Sequence, residues 1–492
     1  MNRPSEKEIA ELVKTIYAGG GTLQKSFTQS SSAISGITEY DLEPGARLLY
    51  PLTTILRNMI PRRTGGRGIQ ANWRAITAVN PSKLSIGLSQ GNRGGIMGQT
   101  VVDRLAKFAF FGMDNSVTFE ADYAGEGFDN VRGLAVTELL QGTMEAEERV
   151  ILGGNAFQAL GTTPTPTTST ATTGGLITNA TWSVVCVALT FDGAANSDVT
   201  NGVQIPYTRT NADGSTDVIS GFYAAPSAAA SQVTTGTTST ISASVTAVNG
   251  AFAYAWFAGA SGSERLQQIT SINSVKLTAA IPGTGQLLSA LTSGDQSINS
   301  LVYDGLLSQI FTSGSGSYVK SLATGTAGTG TNLTSTGSGT GGIAEIDAAI
   351  ESFYRTYRLI PTHIIMNSVD QKNAKNLILS GNTNLAPFFM AGNELSGSAR
   401  LKTYVNPIGF GNPTLEVLVH PFMPQGTMMF YSDRVPYQLT NVADICKVHL
   451  RRDYYSVDWP VVTRKWTYGV YFDGVLQHYF PPAMGMITNI AP

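Results

Sequence analysis

The chain has 492 residues, which leads us to expect two or three domains. Charged residues make up only 13%, against roughly 25% in an average soluble domain, while Gly is abundant at 53 residues. Low charge with many turn residues suggests large surfaces buried against other chains, or long ordered loops, and points away from a free-swimming enzyme. A formal net charge of -2 excludes a generally basic, nucleic-acid-coating protein.

In chain order, residues 5–17 read as a short helix with Ile9, Leu12, Val13 and Ile16 on one face. The polar start, Met1-Asn2-Arg3-Pro4, is unlike a signal peptide, and no run of 18 apolar residues predicts a membrane span. Residues 22–38 are Ser/Thr-rich and read as an extended arm. From Glu43 to Asp103 there is no acidic residue between, yet this stretch holds Arg47, Arg57, Arg62, Arg63, Arg67, Arg74, Arg93 and Lys83. A one-signed stretch needs a partner of the other sign. It lacks the interleaved aromatics that stack single-stranded bases, so subunit contact is favoured over nucleic-acid readout.

Residues 69–79 alternate, with Ile69, Ala71, Trp73 and Ala75 opposed to Gln70, Asn72 and Arg74, which predicts a half-buried strand. Residues 117–123 alternate again. Paired across the Gly91-Asn92-Arg93-Gly94-Gly95 tip, the two predict a long two-stranded arm with too little core to stand alone. From Phe128 to Val150 the apolar spacing becomes 3-4-4-3-4-4, a long helix stopped by Gly153-Gly154. Clustered acids near its end, Glu145, Glu147 and Glu148, are the expected counterparts of the arginines.

Residues 161–175 read as a Thr/Pro linker. Six short β-type runs follow, separated by turn clusters, and suggest a small β-sandwich, immunoglobulin-like in outline. A Gly/Thr/Ser tract, 324–342, leads to an amphipathic helix bearing Ile343, Ile346, Ile350, Phe353 and Tyr357. Pro361 ends it. His363–Met366 is a buried strand, and Ser368 with Gln371 predicts a capping box for the next helix. The last 50 residues are strand-like and aromatic.

Catalytic patterns are weak. Gly87-Leu88-Ser89-Gln90-Gly91 spells a nucleophile elbow, but a Gly-rich loop follows it where a helix is needed. Gly337–Gly342 spells a dinucleotide fingerprint without a preceding buried strand, in a tract where composition alone produces it. Asn211–Asp217 lacks the closing glutamate of a calcium loop and reads as a hairpin turn. His363, His420, His449 and His478 have no ligand spacing and read as core or interface residues. Cys186 and Cys446 read as two buried free thiols. No cofactor, metal site or catalytic residue is expected.

The order of parts resembles the major capsid proteins of tailed bacteriophages, the HK97-like α+β fold. Three stretches carry the likeness. One is Val117-Thr118-Phe119-Glu120 leading into the helix that ends Glu147-Glu148-Arg149-Val150-Ile151-Leu152-Gly153-Gly154-Asn155. The second is Pro361–Asn367 after an amphipathic helix. The third is the tail, Arg452-Asp453-Tyr454-Tyr455, Trp459-Pro460-Val461, Thr463-Arg464 and Gly474-Val475-Leu476.

The resemblance implies an N-terminal arm (1–43), a peripheral P-domain segment (44–66), an E-loop (67–123), and P-domain with spine helix and linker (124–175). It further implies an inserted β-sandwich decoration domain (176–294), mainly axial A-domain (295–440), and a return to the P-domain (441–492). The implied function is a non-enzymatic, icosahedral head shell of pentamers and hexamers around double-stranded DNA, contacted non-specifically. A portal is an implied partner. The N-terminus lacks a long charged scaffolding segment, so scaffolding is expected from a separate protein or was removed by cleavage. The implied location is the virion, after assembly in the host bacterial cytoplasm, with no membrane partner. Arg57, Arg62, Arg63, Arg67, Arg74, Arg93, Lys83, Glu145, Glu147 and Glu148 are the expected inter-subunit contacts. A β-rich extracellular adhesin is the alternative, and a hydrolase using Ser89 a third reading.

Overall fold

A computed structural model describes residues 7, 51–80, 82–126, 129–337, 341–380, 389–391, 394–396, 400–437 and 442–492. The expected helix over 5–17 and the arm over 22–38 lie outside these apart from Lys7, as do Arg47 and residues 338–340 of the Gly-rich fingerprint.

The body is organised around one long helix, Val131–Gly153, here called the spine helix. At 1.5 Å per residue its 23 residues span about 34 Å. Asn130 caps its start, accepting from the Gly133 N–H at 3.0 Å, and Gly154 follows its end. Its buried residues include Ala135, Leu139, Thr143, Glu147, Ile151 and Leu152. The inward stripe therefore advances by four and passes through a glutamate. The apolar spacing over 128–150 predicts Gly142 and Ala146 on that stripe, where the structure has Thr143 and Glu147.

Beneath the helix lies a four-stranded sheet. Ala109–Thr118 pairs with Lys465–His478, which pairs with Cys446–Asp458, which carries Arg62–Thr64 parallel on its outer edge. The tail thus returns to build the centre of this sheet. Gly112 is required where it sits, since a Cβ there would lie 1.9 Å from the Tyr471 ring.

The predicted arm exists, with one strand corrected. Gln70–Val79 pairs antiparallel with Gln99–Lys107, not with 117–123. Residues 117–118 end a strand of the sheet, and Phe119–Gly125 is a helix. Thr118 caps that helix through the Ala121 N–H, and Glu120 and Asp122 fall in its first turn, where the dipole favours acids. Capping outweighs the two-residue alternation there.

The second body is a six-stranded sheet in the order 318–321, 485–488, 428–431, 363–366, 414–419, 403–405. The helix Ala344–Tyr357 packs on it through Ile346, Ala349, Ile350 and Phe353, and the helix Ser368–Ser380 follows the central strand. The expected capping box does not form. Asn367 caps this helix through the Val369 N–H, and Gln371 reaches the Leu401 carbonyl instead.

Residues 167–277 contribute two facing sheets, three strands and four strands. Ile241, Ala243, Val275, Cys186, Tyr254 and Trp256 fill the space between them. The four-stranded sheet is buried on its outer face as well, by Val203, Phe222, Tyr223 and Leu291. Double coverage explains why Thr181–Leu189 is buried at seven successive positions and shows no alternation. The 161–175 linker is partly a strand, since Thr167–Ala171 pairs with Thr240–Ser244. Asn211–Asp217 forms the expected hairpin, with 211–215 as the turn between Tyr207–Thr210 and Thr216–Ile219. Both cysteines are free and buried.

Candidate assembly surface and the network that braces it

Among the described residues, the hairpin Gln70–Val79/Gln99–Lys107 is anchored only at its base. Ala71 and Ala106 pack on the main core and the Trp73 ring meets Tyr479 edge-on at 6.4 Å, while the Phe108 N–H, donating to the Ile69 carbonyl, closes the hairpin across its base. Beyond the base it buries little. Ile86 is 97% and Ile96 96% exposed, and Ile76, Val79, Leu88 and Met97 are exposed as well. Monomeric proteins rarely present so many large apolar side chains together. Fully burying an Ile, Leu, Val or Met is worth roughly 1.5–3 kcal/mol, so a surface that covered half of these would recover on the order of 5 kcal/mol or more.

Most of the expected cations on this arm lie at its surface. Arg67, Arg93 and Lys83 are exposed, and Lys83 sits in the tip at φ 49°. Arg74 pairs with Asp103 directly across the hairpin at 2.8 Å. Ser89 is exposed in the tip among residues without helix or strand, which leaves the elbow pattern without its structural context.

The arginines before the arm behave differently. Arg62 donates from both terminal nitrogens, to Glu147 and, at 2.5 Å, to Asp453. Arg57 Nε reaches the other Glu147 oxygen at 3.2 Å, and the Tyr454 hydroxyl donates to that same oxygen. The Arg62 guanidinium lies 4.8 Å from the centre of the Tyr454 ring. Burial would lower the Arg62 pKa, but Asp453 and Glu147 more than offset it and keep the guanidinium charged.

Glu148 beside it performs a second task. Its two oxygens accept the backbone N–H groups of Leu56 and Arg57 at 2.7 and 2.6 Å, at the first turn of the helix Ile55–Met59. His420 Nε2 donates to Glu148 at 2.7 Å, because His420 Nδ1 already accepts from the Phe422 N–H. Both side chains are fully buried.

The expected pairing of Arg62 with Glu147 is therefore present, but within one chain. Arg57, Arg62, Glu147 and Glu148 are corrected from inter-subunit contacts to internal braces. They tie the segment before the arm, the end of the spine helix, the tail strand and the loop after Val419 into one unit. Arg63 also finds an internal partner, Asp444 at 2.9 Å, although it remains exposed. Glu145 is half-buried on the spine helix. His420, Tyr454 and Asp453 were missed as network members, because they lie hundreds of residues from their partners in sequence. The only sequence signal was the tail stretch Arg452–Tyr455 itself.

Among the described residues no cluster of three metal-ligating side chains exists, and no helix is long and apolar enough to cross a membrane.

No family model matches the chain, and no curated protein does. Solved structures do. The chain is similar to the capsid of a native GTA particle computed with C5 symmetry, at 7% identity and TM-score 0.40, covering 92% of this chain and 96% of that one. It is similar to the capsid of Myoviridae phage XM1, at 8% identity and TM-score 0.38, covering 91% and 95%. It is similar to the capsid of cyanophage P-SCSP1u, at 9% identity and TM-score 0.39, covering 92% of each. All three are capsids.

Proposed function

We propose that this chain is the major capsid protein of a tailed bacteriophage, self-assembling into an icosahedral head shell around double-stranded DNA. The observation that carries this is the hairpin at 69–107. It is a long apolar surface held out from a rigidly braced base, and it needs another copy to cover it. In this reading the hairpin is the E-loop. The spine helix and four-stranded sheet form the P-domain, and the six-stranded sheet the A-domain. The two facing sheets are an inserted, immunoglobulin-like decoration domain.

The shell consists of pentamers and hexamers and catalyses no reaction. Arg67, Arg74, Arg93, Lys83, Arg63 and Glu145 contact neighbours; DNA is met non-specifically, and a portal is a further partner. Assembly takes place in the host cytoplasm and the mature location is the virion. Sedimentation velocity of the purified full chain, with negative-stain microscopy of the fast species, tests the reading. Rings or closed shells are expected. A chain that stays monomeric at every concentration, or forms filaments as a surface adhesin would, overturns it.

A further inference from the structure

One cation at the base of the hairpin, Arg104, has no counter-ion among the described residues. Arg104 stands directly opposite Trp73 in the hairpin register. Its Nε is shut off from solvent and makes no hydrogen bond, and neither does the indole Nε1 of Trp73. Next to them, His478 is 1% exposed. Its Nδ1 accepts from the Phe480 N–H at 3.2 Å, which places the proton on Nε2, and Nε2 also lacks a partner. Among the described residues, the Nε–H of this half-buried guanidinium and the ring N–H groups of Trp73 and His478 therefore all go unpaired.

Burial alone pushes the Arg104 pKa down, with no carboxylate opposing it. Burial, with the Arg104 charge added, holds His478 near about 3, so its imidazole stays neutral. Lys447, whose Nζ donates to the Tyr479 hydroxyl at 3.3 Å, adds a second positive charge nearby. Buried N–H donors without an acceptor are costly, and native structures rarely keep several together beside a half-buried charge.

We propose that Arg104 is half of an inter-subunit ion pair, and that a carboxylate from a neighbouring copy of this chain docks on it at the base of the hairpin. This rests on the shell reading above. Charge complementarity favours a carboxylate of this chain, since the spine helix presents an exposed acid, Glu138, with no ion pair among the described residues. A planar guanidinium can take a carboxylate through two parallel bonds, which sets register as well as attraction.

The test uses the full chain and the variants Arg104→Met and Arg104→Lys. Methionine keeps the aliphatic stem and removes the unpaired charge. The thermal midpoint of unassembled Arg104→Met should equal or exceed that of the wild type, while the concentration needed for assembly rises about tenfold, equivalent to losing roughly 1.4 kcal/mol per contact. Arg104→Lys should fall between the two. A merely structural role would lower the midpoint and weaken assembly together, which overturns the proposal. Unchanged assembly of Arg104→Met also overturns it. So does weaker binding of a short DNA duplex at an unchanged threshold, which would make the anion a phosphate. A wild-type chain that never assembles removes the shell reading first, and this site with it.

Discussion

Removing the Glu147 carboxylate should destabilise the folded chain itself, before any contact between copies is involved. Glu147 is 1% exposed and accepts from Arg57, Arg62 and Tyr454. Glu147→Ala leaves Arg62, whose side chain is only 15% exposed, with Asp453 as its remaining carboxylate. Breaking a buried pair by deleting one partner costs about 3–5 kcal/mol. The lost acceptor for Tyr454 adds about 1 kcal/mol. Asp453 is partly solvated and relieves some of this, so a total of about 3 kcal/mol is expected. Glu147→Gln keeps the shape and one acceptor and should cost roughly half as much. Urea unfolding of unassembled protein, followed by tryptophan fluorescence, reads this as a shifted midpoint at constant slope. A loss below about 1 kcal/mol for Glu147→Ala would refute the idea that this network braces the arm. For the same reason, Arg62→Glu with Arg63→Glu is expected to unfold the body, and its failure to assemble would say nothing about subunit contacts.

Three further outcomes are expected. Gly153→Ala should destabilise, despite alanine's better helix propensity, because the new Cβ would lie 2.1 Å from the buried Phe191 ring; overpacking of this kind costs about 1–3 kcal/mol, read by the same urea titration. Burial raises the Asp370 pKa to about 6, so the fold binds this proton more tightly than the unfolded chain does. Its contribution is present below about pH 4 and is lost as pH rises to about 6, and Asp370→Asn should remove that loss and stabilise the chain at pH 8 by on the order of 2 kcal/mol. A fragment spanning 161–299 should unfold cooperatively in circular dichroism, whereas 176–294 should be weaker. The shorter piece lacks the Thr167–Ala171 strand and the bond from the Gly161 N–H to Asp295.

Local signals carried much of the architecture. Two glycines marked the end of the spine helix, strict alternation marked the first hairpin strand, and isoleucine spacing marked the helix Ala344–Tyr357. Errors arose where a competing local force won or where burial is two-sided. A threonine cap turned the alternating 117–123 segment into a strand end and a helix. Thr167–Ala171 has a linker's composition, but an adjacent strand recruits it through backbone bonds that any residue can make. The site was half legible. Sequence charge paired Arg62 with Glu147 correctly, yet charge alone does not distinguish a bond within a chain from one between chains. Glu148 with His420, separated by 272 positions, left no pattern to read.

The central claim is that copies of this chain close into a shell in which each hairpin lies on a neighbour. A cryo-electron-microscopy reconstruction of the particles tests this most directly. The expected map shows closed shells, residues 69–107 covering an adjacent copy, Ile86 and Ile96 buried beneath it, and the Arg62–Glu147 pair inside each chain. Particles without closed symmetry, or shells in which the hairpin tips face solvent, would contradict it.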